Sequence, residues 1–294
     1  MFKVVLFQGI GDCFYQIPVV RALAAKHGRI AVATAYPELF EHIPGVSFWY
    51  RPTMLVSQDK AIEKVPHDKW APIHKSAEAD LRLGYSNRKF SSGLSILEQL
   101  NEVTPENTNY DMGFPIRSEW LDAAEKVRAG RKIAVIRRPT VRREYPAVSR
   151  NPKPGLIGAC VDELNRLGFT TIAVGDIQEP HERGLEDLKV KHNYEGGQLS
   201  IPVIAALTTI AEITVTPVGY AVPMTLATKA RCFTVFGGHV GPEFIFGPKA
   251  DMRRVGYVAP HPFCNCFENS HATCNKEISR VELLRGLHST LALE

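Results

Sequence analysis

The chain has 294 residues, which at roughly 100–200 residues per domain is enough for two. Hydrophobic residues make up 45% and charged residues 22%. That is the balance of a soluble globular protein, and no apolar run approaches the roughly 20 residues of a membrane-spanning helix. A net charge of +4 is too mild to argue for nucleic acid by itself.

The first residues, Met1 to Phe7, run straight into a β-like stretch without a charged leader or a long apolar core, so cytoplasmic residence is expected. Residues 3–7 read as a strand, Gly9-Ile10-Gly11-Asp12 as a turn, and 13–27 as a helix with Tyr15, Val19, Val20, Leu23 and Ala24 at helical spacing. Arg29 to Thr34 is the next strand. A short helix over 37–42, ended by Pro44-Gly45, leads into a third strand, Val46 to Tyr50. Residues 51–95 read as a long irregular connection, rich in Lys, His and Ser, of the kind that often carries function, here contacts to an acceptor. Helices follow over 95–103 and 118–128, the latter closed by Gly130.

From 131 the same alternation restarts. Strands are expected over 131–136, 170–174, 212–216, 231–236 and 254–258, with helices over 154–167, 199–210, 222–230 and 279–291. Repeated strand–helix units argue for an α/β chain of two Rossmann-like, doubly wound parallel-sheet domains facing across a cleft. The expected domains are 1–129 and 130–294, with the last helix free to pack on either.

Chemistry-bearing residues gather at the expected carboxyl ends of strands. Phe7-Gln8-Gly9-Ile10-Gly11-Asp12-Cys13-Phe14 starts like a dinucleotide fingerprint, but Phe14 stands at the third glycine position and no acidic residue ends the second strand, which excludes a dehydrogenase of that type. What remains is Asp12, either a helix-capping carboxylate or a general base. The strand Lys132 to Ile136 leads into Arg137, Arg138, Arg142, Arg143 and Arg150, a cluster suited to phosphate. Val218-Gly219-Tyr220-Ala221-Val222-Pro223-Met224-Thr225 follows another strand and opens a helix. Its backbone N–H groups and helix start form a place for a phosphate or pyrophosphate, although Pro223 cannot donate.

Three segments in register carry a family resemblance. Gly9-Ile10-Gly11-Asp12 with Ile17-Pro18-Val19-Val20-Arg21-Ala22-Leu23 resembles the opening of the family nine, heptosyltransferase-like glycosyltransferases. Gly197-Gln198-Leu199-Ser200-Ile201 with Ala205-Ala206-Leu207, and Pro223-Met224-Thr225-Leu226-Ala227 followed by Phe236-Gly237, are similar to two further segments of that family. The resemblance spans nearly the whole chain and implies the two-domain GT-B fold. It also implies transfer of a sugar from a nucleotide-diphosphate sugar to a saccharide or other hydroxyl acceptor, independent of metal, with Asp12 as catalytic base.

Arg143 falls where the family places a phosphate-binding lysine, and the implied donor site comprises Gly11, Arg138, Arg142, Arg143, Gly197, Ser200, Tyr220, Ala221, Val222, Met224 and Thr225. This chain departs from the family signature at Tyr220, Val222 and Thr225, which replace an Asp, a Gly and a His. Those departures favour one alternative, a catalytically idle nucleotide- or carbohydrate-binding protein of the same fold. The arginines and the lysine-rich 51–95 segment permit another, sugar transfer to a modified base in nucleic acid.

Cys264-x-Cys266-x4-His271-x2-Cys274 places four soft or borderline ligands within eleven residues, a set suited to structural tetrahedral zinc; reduced thiols without metal and disulfides are the alternatives. Catalysis itself calls for no cofactor. If zinc closes this loop, metal analysis of protein purified without a histidine tag returns close to one equivalent, and a chelator loosens residues 260–276 without abolishing donor binding. Substoichiometric zinc with all six cysteines titrating as free thiols would eliminate the metal.

Overall fold

The computed structural model of the chain describes residues 1–7, 9–49, 56–64, 78–86, 93–104, 110–144, 146, 148–264 and 276–293. It divides into two compact units, Met1–Pro115 with Phe246–Lys249, and Ile116–Ile245 with Ala250–Glu294.

The first unit carries β1 (Phe2–Val5), α1 (Ile10–His27), β2 (Ile30–Ala33), β3 (Val46–Trp49), α2 (Val56–Glu63), β4 (Leu81–Arg82) and α3 (Ile96–Asn101). Its strands are parallel, in the order β3-β2-β1-β4. Val4, Ile30, Ala31, Val32 and Ala33 are fully buried, which explains why β1 and β2 read as near-continuous apolar runs with no alternation. The segment expected as a short helix at 37–42 is a single 3₁₀ turn, Pro37–Leu39. α3 starts on a capping box, Ser95 accepting from the Glu98 amide while Glu98 accepts from that of Ser95.

The second unit begins with α4 (Ser118–Arg128) and continues through β5 (Ile133–Ile136), β6 (Thr140–Arg142), α5 (Leu156–Arg166), β7 (Thr170–Val174), β8 (Glu182–Gly184), β9 (His192–Tyr194), α6 (Ile201–Ile210), β10 (Ile213–Pro217), α7 (Ala221–Thr228), β11 (Cys232–Val235), α8 (Pro242–Phe246), β12 (Val255–Val258) and α9 (Arg280–Leu291). Six of these strands form one parallel sheet in the order β12-β11-β10-β5-β7-β9. β6 and β8 pair antiparallel as a separate ribbon.

Both faces of the large sheet are covered. Ala134, Ile136, Ile213, Val215, Phe233 and Val235 pack into one core with Ile157, Cys160, Val161 and Leu164 of α5 and Leu283 and Leu287 of α9. The intervening strand residues, Ile133, Val135, Thr214, Thr216 and Thr234, point the other way and are buried as well.

α9 packs on β12, β11 and α5, so the last helix belongs to the second unit. α4, assigned from sequence to the end of the first domain, packs against α6, and the change of unit falls at Pro115–Ile116. No helix among the described residues is long and apolar enough to cross a membrane.

Candidate functional site

Strand order decides where a site can form. In the first unit the chain passes from β1 outward through β2 to β3 and then returns to lay β4 on the other side of β1. In the second it leaves β5 for β7 and β9, then returns to lay β10, β11 and β12 on the other side. In open α/β sheets, ligands bind outside the carboxyl ends of strands at such reversals, where connections diverge to opposite faces and leave a crevice. The reversals lie between β1 and β4 and between β5 and β10.

At the first reversal stands Asp12, in the first turn of α1. Its Oδ2 accepts the Gly9 amide at 3.2 Å, and its Oδ1 accepts the Tyr85 hydroxyl at 2.6 Å. Residue 9 has to be glycine for this approach, because a Cβ there would lie 2.4 Å from Oδ2. The capping and chemical readings of Asp12 are therefore compatible: one oxygen serves the helix start while the other meets Tyr85 beyond the end of β4.

The turn is held from beneath by Gln16, fully buried, whose amide accepts from the Phe7 N–H at 2.9 Å and donates to the Phe7 and Asp12 carbonyls at 2.8 Å each. Phe7 itself is 45% exposed, with its ring centroid 5.1 Å from that of Tyr85. Gly11 lies half-buried in the same helical turn. Cys13, next to Asp12, is a buried thiol whose pKa is pushed up by that burial.

At the second reversal the arginines separate into two kinds. Arg137 donates to Glu182 Oε1 at 3.1 Å, and its guanidinium lies 5.4 Å from the centroid of the Tyr220 ring. Arg138 meets Glu195 with a two-pronged contact, 3.0 Å from Nε and 2.7 Å from Nη2. Glu182 and Glu195 are both buried, so these cations are already neutralised. Arg138, expected to hold donor phosphate, is thus engaged in a structural ion pair.

Arg142 approaches Glu182 only at 3.7 Å and is partly exposed. The Arg143 amide donates to the His181 carbonyl at 2.8 Å, continuing the β6–β8 ribbon, while its side chain is exposed. Among the described residues the side chains of Arg143 and Arg150 make no hydrogen bond or ion pair. They are the cations left over for a ligand.

The loop that carries Arg150 is anchored. The buried Lys276 ammonium donates to the carbonyls of Val148 and Asn151 at 2.7 and 2.9 Å, the Gly238 amide donates to the Ser149 carbonyl at 3.0 Å, and Ser149 Oγ pairs with His239 Nδ1 at 3.2 Å.

The start of α7 differs from expectation. The Val222 amide donates to the Gly219 carbonyl at 3.2 Å and that of Met224 to Tyr220 at 3.1 Å. Ala221, Val222, Met224 and Thr225 are buried, and the Thr225 hydroxyl donates to the Val222 carbonyl at 2.8 Å. Two of the expected phosphate donors, Val222 and Met224, are thereby used within the turn, and Thr225 presents no side chain to a ligand. Among the described residues the amides of Gly219, Tyr220 and Ala221 have no protein acceptor, so the free donors are the first residue of the helix and the two before it. The Tyr220 hydroxyl is shut off from solvent without a hydrogen-bond partner among the described residues, and burial pushes its pKa up despite the neighbouring Arg137 charge.

Gly197, at φ +74° in the loop after β9, donates its amide to the Gly175 carbonyl at 3.0 Å, which brings that loop to the end of β7 on the same sheet edge. Ser200 is the exposed N-cap residue of α6. Of the zinc set only Cys264, an exposed free thiol, lies within the described residues; Cys266, His271 and Cys274 lie outside them, as does Tyr145. Among the described residues no three His, Cys, Asp or Glu side chains come together as a metal site.

No protein-family model and no curated protein matches the chain by sequence. Among solved structures it is similar to the ADP-heptose lipopolysaccharide heptosyltransferase II of E. coli, at 11% identity, 99% of this chain, 98% of that one and a TM-score of 0.59. A family nine glycosyl transferase from Veillonella parvula DSM 2008 matches at 13% identity, covering 98% and 96%, also with a TM-score of 0.59. The iron-containing dodecameric glycosyltransferase TibC of enterotoxigenic E. coli H10407 matches at 11% identity, 98% of this chain and 75% of that one, with a TM-score of 0.63. The fold is that of the family nine, GT-B glycosyltransferases. Glu182, Glu195, Tyr85 and Gln16 are what the sequence reading missed, because each acts through a partner distant in the chain or, for Gln16, through backbone beneath the turn.

The division of the arginines has a measurable consequence. Arg138→Ala strands the buried Glu195 carboxylate and is expected to cost about 3 kcal/mol in urea denaturation. Arg143→Ala, at an exposed position with no partner among the described residues, is expected to stay within about 0.5 kcal/mol of wild type. Equal costs would show that the distinction between structural and available cations is wrong.

Proposed function

We propose that the protein is a glycosyltransferase that takes a sugar from a nucleotide-diphosphate sugar to an acceptor hydroxyl. The observation that carries this reading is the charge at the two sheet reversals of a GT-B fold: a carboxylate, Asp12, held by two hydrogen bonds in the first unit, and in the second an edge where, among the described residues, Arg143, Arg150 and the Gly219–Ala221 amides have no protein partner. A TibC structure in complex with ADP-D-beta-D-heptose supports a donor of this class.

In the proposed reaction an Asp12 oxygen takes the proton of the acceptor hydroxyl as that oxygen's lone pair forms a bond to the anomeric carbon. The anomeric carbon–oxygen bond to the diphosphate breaks, and its electron pair leaves with the nucleotide diphosphate. Arg142, Arg143, Arg150 and the Gly219–Ala221 amides are the groups assigned to the charge that develops there. Groups fixed in place before the reaction stabilise that charge without reorganising, which lowers the barrier more than it strengthens ground-state binding.

Tyr220 favours a second reading. It puts a ring over Arg137 where the family signature has a carboxylate, and a protein that binds a nucleotide sugar without transferring it would tolerate that filling. Donor hydrolysis separates the two.

A thermal-shift screen over nucleotide diphosphates and nucleotide sugars should identify the donor, since a ligand that binds only the folded chain raises the melting temperature the more its concentration exceeds Kd. With that donor, Asp12→Asn is expected to lower release of nucleotide diphosphate by roughly 100-fold or more with donor affinity nearly intact. Arg143→Ala is expected to weaken the diphosphate far more than the nucleoside. A wild-type level of release in Asp12→Asn returns Asp12 to a capping role alone.

A further inference from the structure

Tyr85 lies outside every segment that carries the family resemblance, yet it makes the shortest contact to Asp12 described above, a 2.6 Å bond from the phenol to Oδ1. Its position is built into the sheet and the helix behind it. Leu83, just past β4, donates its amide to the Val5 carbonyl at 2.9 Å, so the strand pairing with β1 fixes the approach to Tyr85. Ser86, just after it, donates its amide at 2.8 Å to the side chain of Gln99, which is itself buried in α3 and donates to the Leu94 carbonyl at 2.9 Å. The ring is flanked by Phe7 at 50°. A helix start needs only one carboxylate oxygen, and Gly9 already takes Oδ2. The phenol on the other oxygen adds nothing to the cap; what it adds is orientation.

We propose that Tyr85 is the positioning residue of Asp12, fixing the plane of its carboxylate at the reversal between β1 and β4. The proposal rests on the reading of Asp12 as the general base. With one oxygen tied to a backbone amide and the other to a phenol, rotation about the side chain breaks both bonds together, and the base waits in a single orientation. A phenol has one O–H to donate and an ionised carboxylate can only accept, so the bond runs from Tyr85 to Asp12.

Donation to a carboxylate favours the charged form, and removal of the hydroxyl disfavours it. Among the described residues, the neighbouring Cys13 thiol is held neutral by burial, and the charges of Asp12 and Glu38 act together on that thiol.

The test uses the full chain labelled with ¹³C at aspartate carboxyls, with Asp12→Asn to assign the signal. In Tyr85→Phe the titration midpoint of Asp12 is expected to move to higher pH. With the donor from the thermal screen, kcat is expected to fall at least about 10-fold while donor KM holds, and the acid limb of the pH–rate profile should move in the same direction as the midpoint.

An unchanged midpoint overturns the proposal. So does a moved midpoint with kcat and acid limb at wild-type values, because Tyr85 would then touch Asp12 without serving the reaction. If the phenylalanine variant fails to fold, 3-fluorotyrosine at position 85, a more acidic phenol and stronger donor, must move the midpoint to lower pH, and no movement overturns the proposal equally. A wild-type chain that turns over none of the nucleotide sugars sinks the transferase reading, and the midpoint then decides alone whether Tyr85 governs Asp12.

Discussion

Arg137 and Arg138 leave the end of β5 as two nearly buried cations, and neither can be tolerated there without a carboxylate. Much of the second unit's carboxyl edge is arranged to supply them. Glu182 comes on the β6–β8 ribbon, and its Oε1 also takes the Thr140 hydroxyl at 2.5 Å, so the ribbon and the ion pair stabilise one another. Glu195 comes just beyond β9, the last strand on that side of the sheet. Once both are in place the inner arginines are spent, and the outer ones stand on a frame that the inner ones have fixed. The local excess of positive charge is therefore smaller than the sequence suggests, and it is concentrated at the tip of the ribbon and the loop after it.

The two units use the same topological device with opposite electrostatics. Each places its reversal beside the first strand of the sheet, and each puts an aromatic ring there: Tyr85 against a carboxylate in one unit, Tyr220 against a guanidinium in the other. The roles of the rings differ. The Tyr85 hydroxyl is bonded, whereas the Tyr220 hydroxyl is buried without a partner among the described residues, and it is the face of its ring that meets a charge. A phenol used through its face can stand where a carboxylate stands in the family signature without adding a negative charge to that edge of the sheet.

The strands and helices legible in the sequence are those whose burial is uniform. β2 and β5 read as unbroken apolar runs, and β10 and β11 as runs interrupted only by buried threonines, because both faces of each are covered. β4, β6, β8 and β9 have two or three residues each and carry no periodicity to detect, so the ribbon and both edge pairings were invisible. The same limit applies to the site. Asp12, Arg142 and Arg143 could be named from their place after a strand. Tyr85 is 73 residues from Asp12, and Glu195 is 57 from Arg138, and nothing local announces either contact. Of the amides expected from sequence to meet phosphate, those of Tyr220 and Ala221 have no acceptor among the described residues, whereas Val222 and Met224 do, because a Gly219 turn that satisfies Val222 is a matter of geometry rather than of residue type.

The clamp on Phe7 has an implication for how such a site can change. Among the described residues Gln16 bonds only to backbone atoms, the N–H and C=O of Phe7 and the C=O of Asp12, and it does so from a fully buried position. The shape of the turn is therefore indifferent to the side chain displayed at position 7, while position 16 itself admits almost no substitute that both donates and accepts at that reach. Variation and constraint fall on different residues. The exposed ring at position 7 can be exchanged for another surface without moving the carboxylate beside it, so the surface around the turn can vary while Asp12 keeps its place.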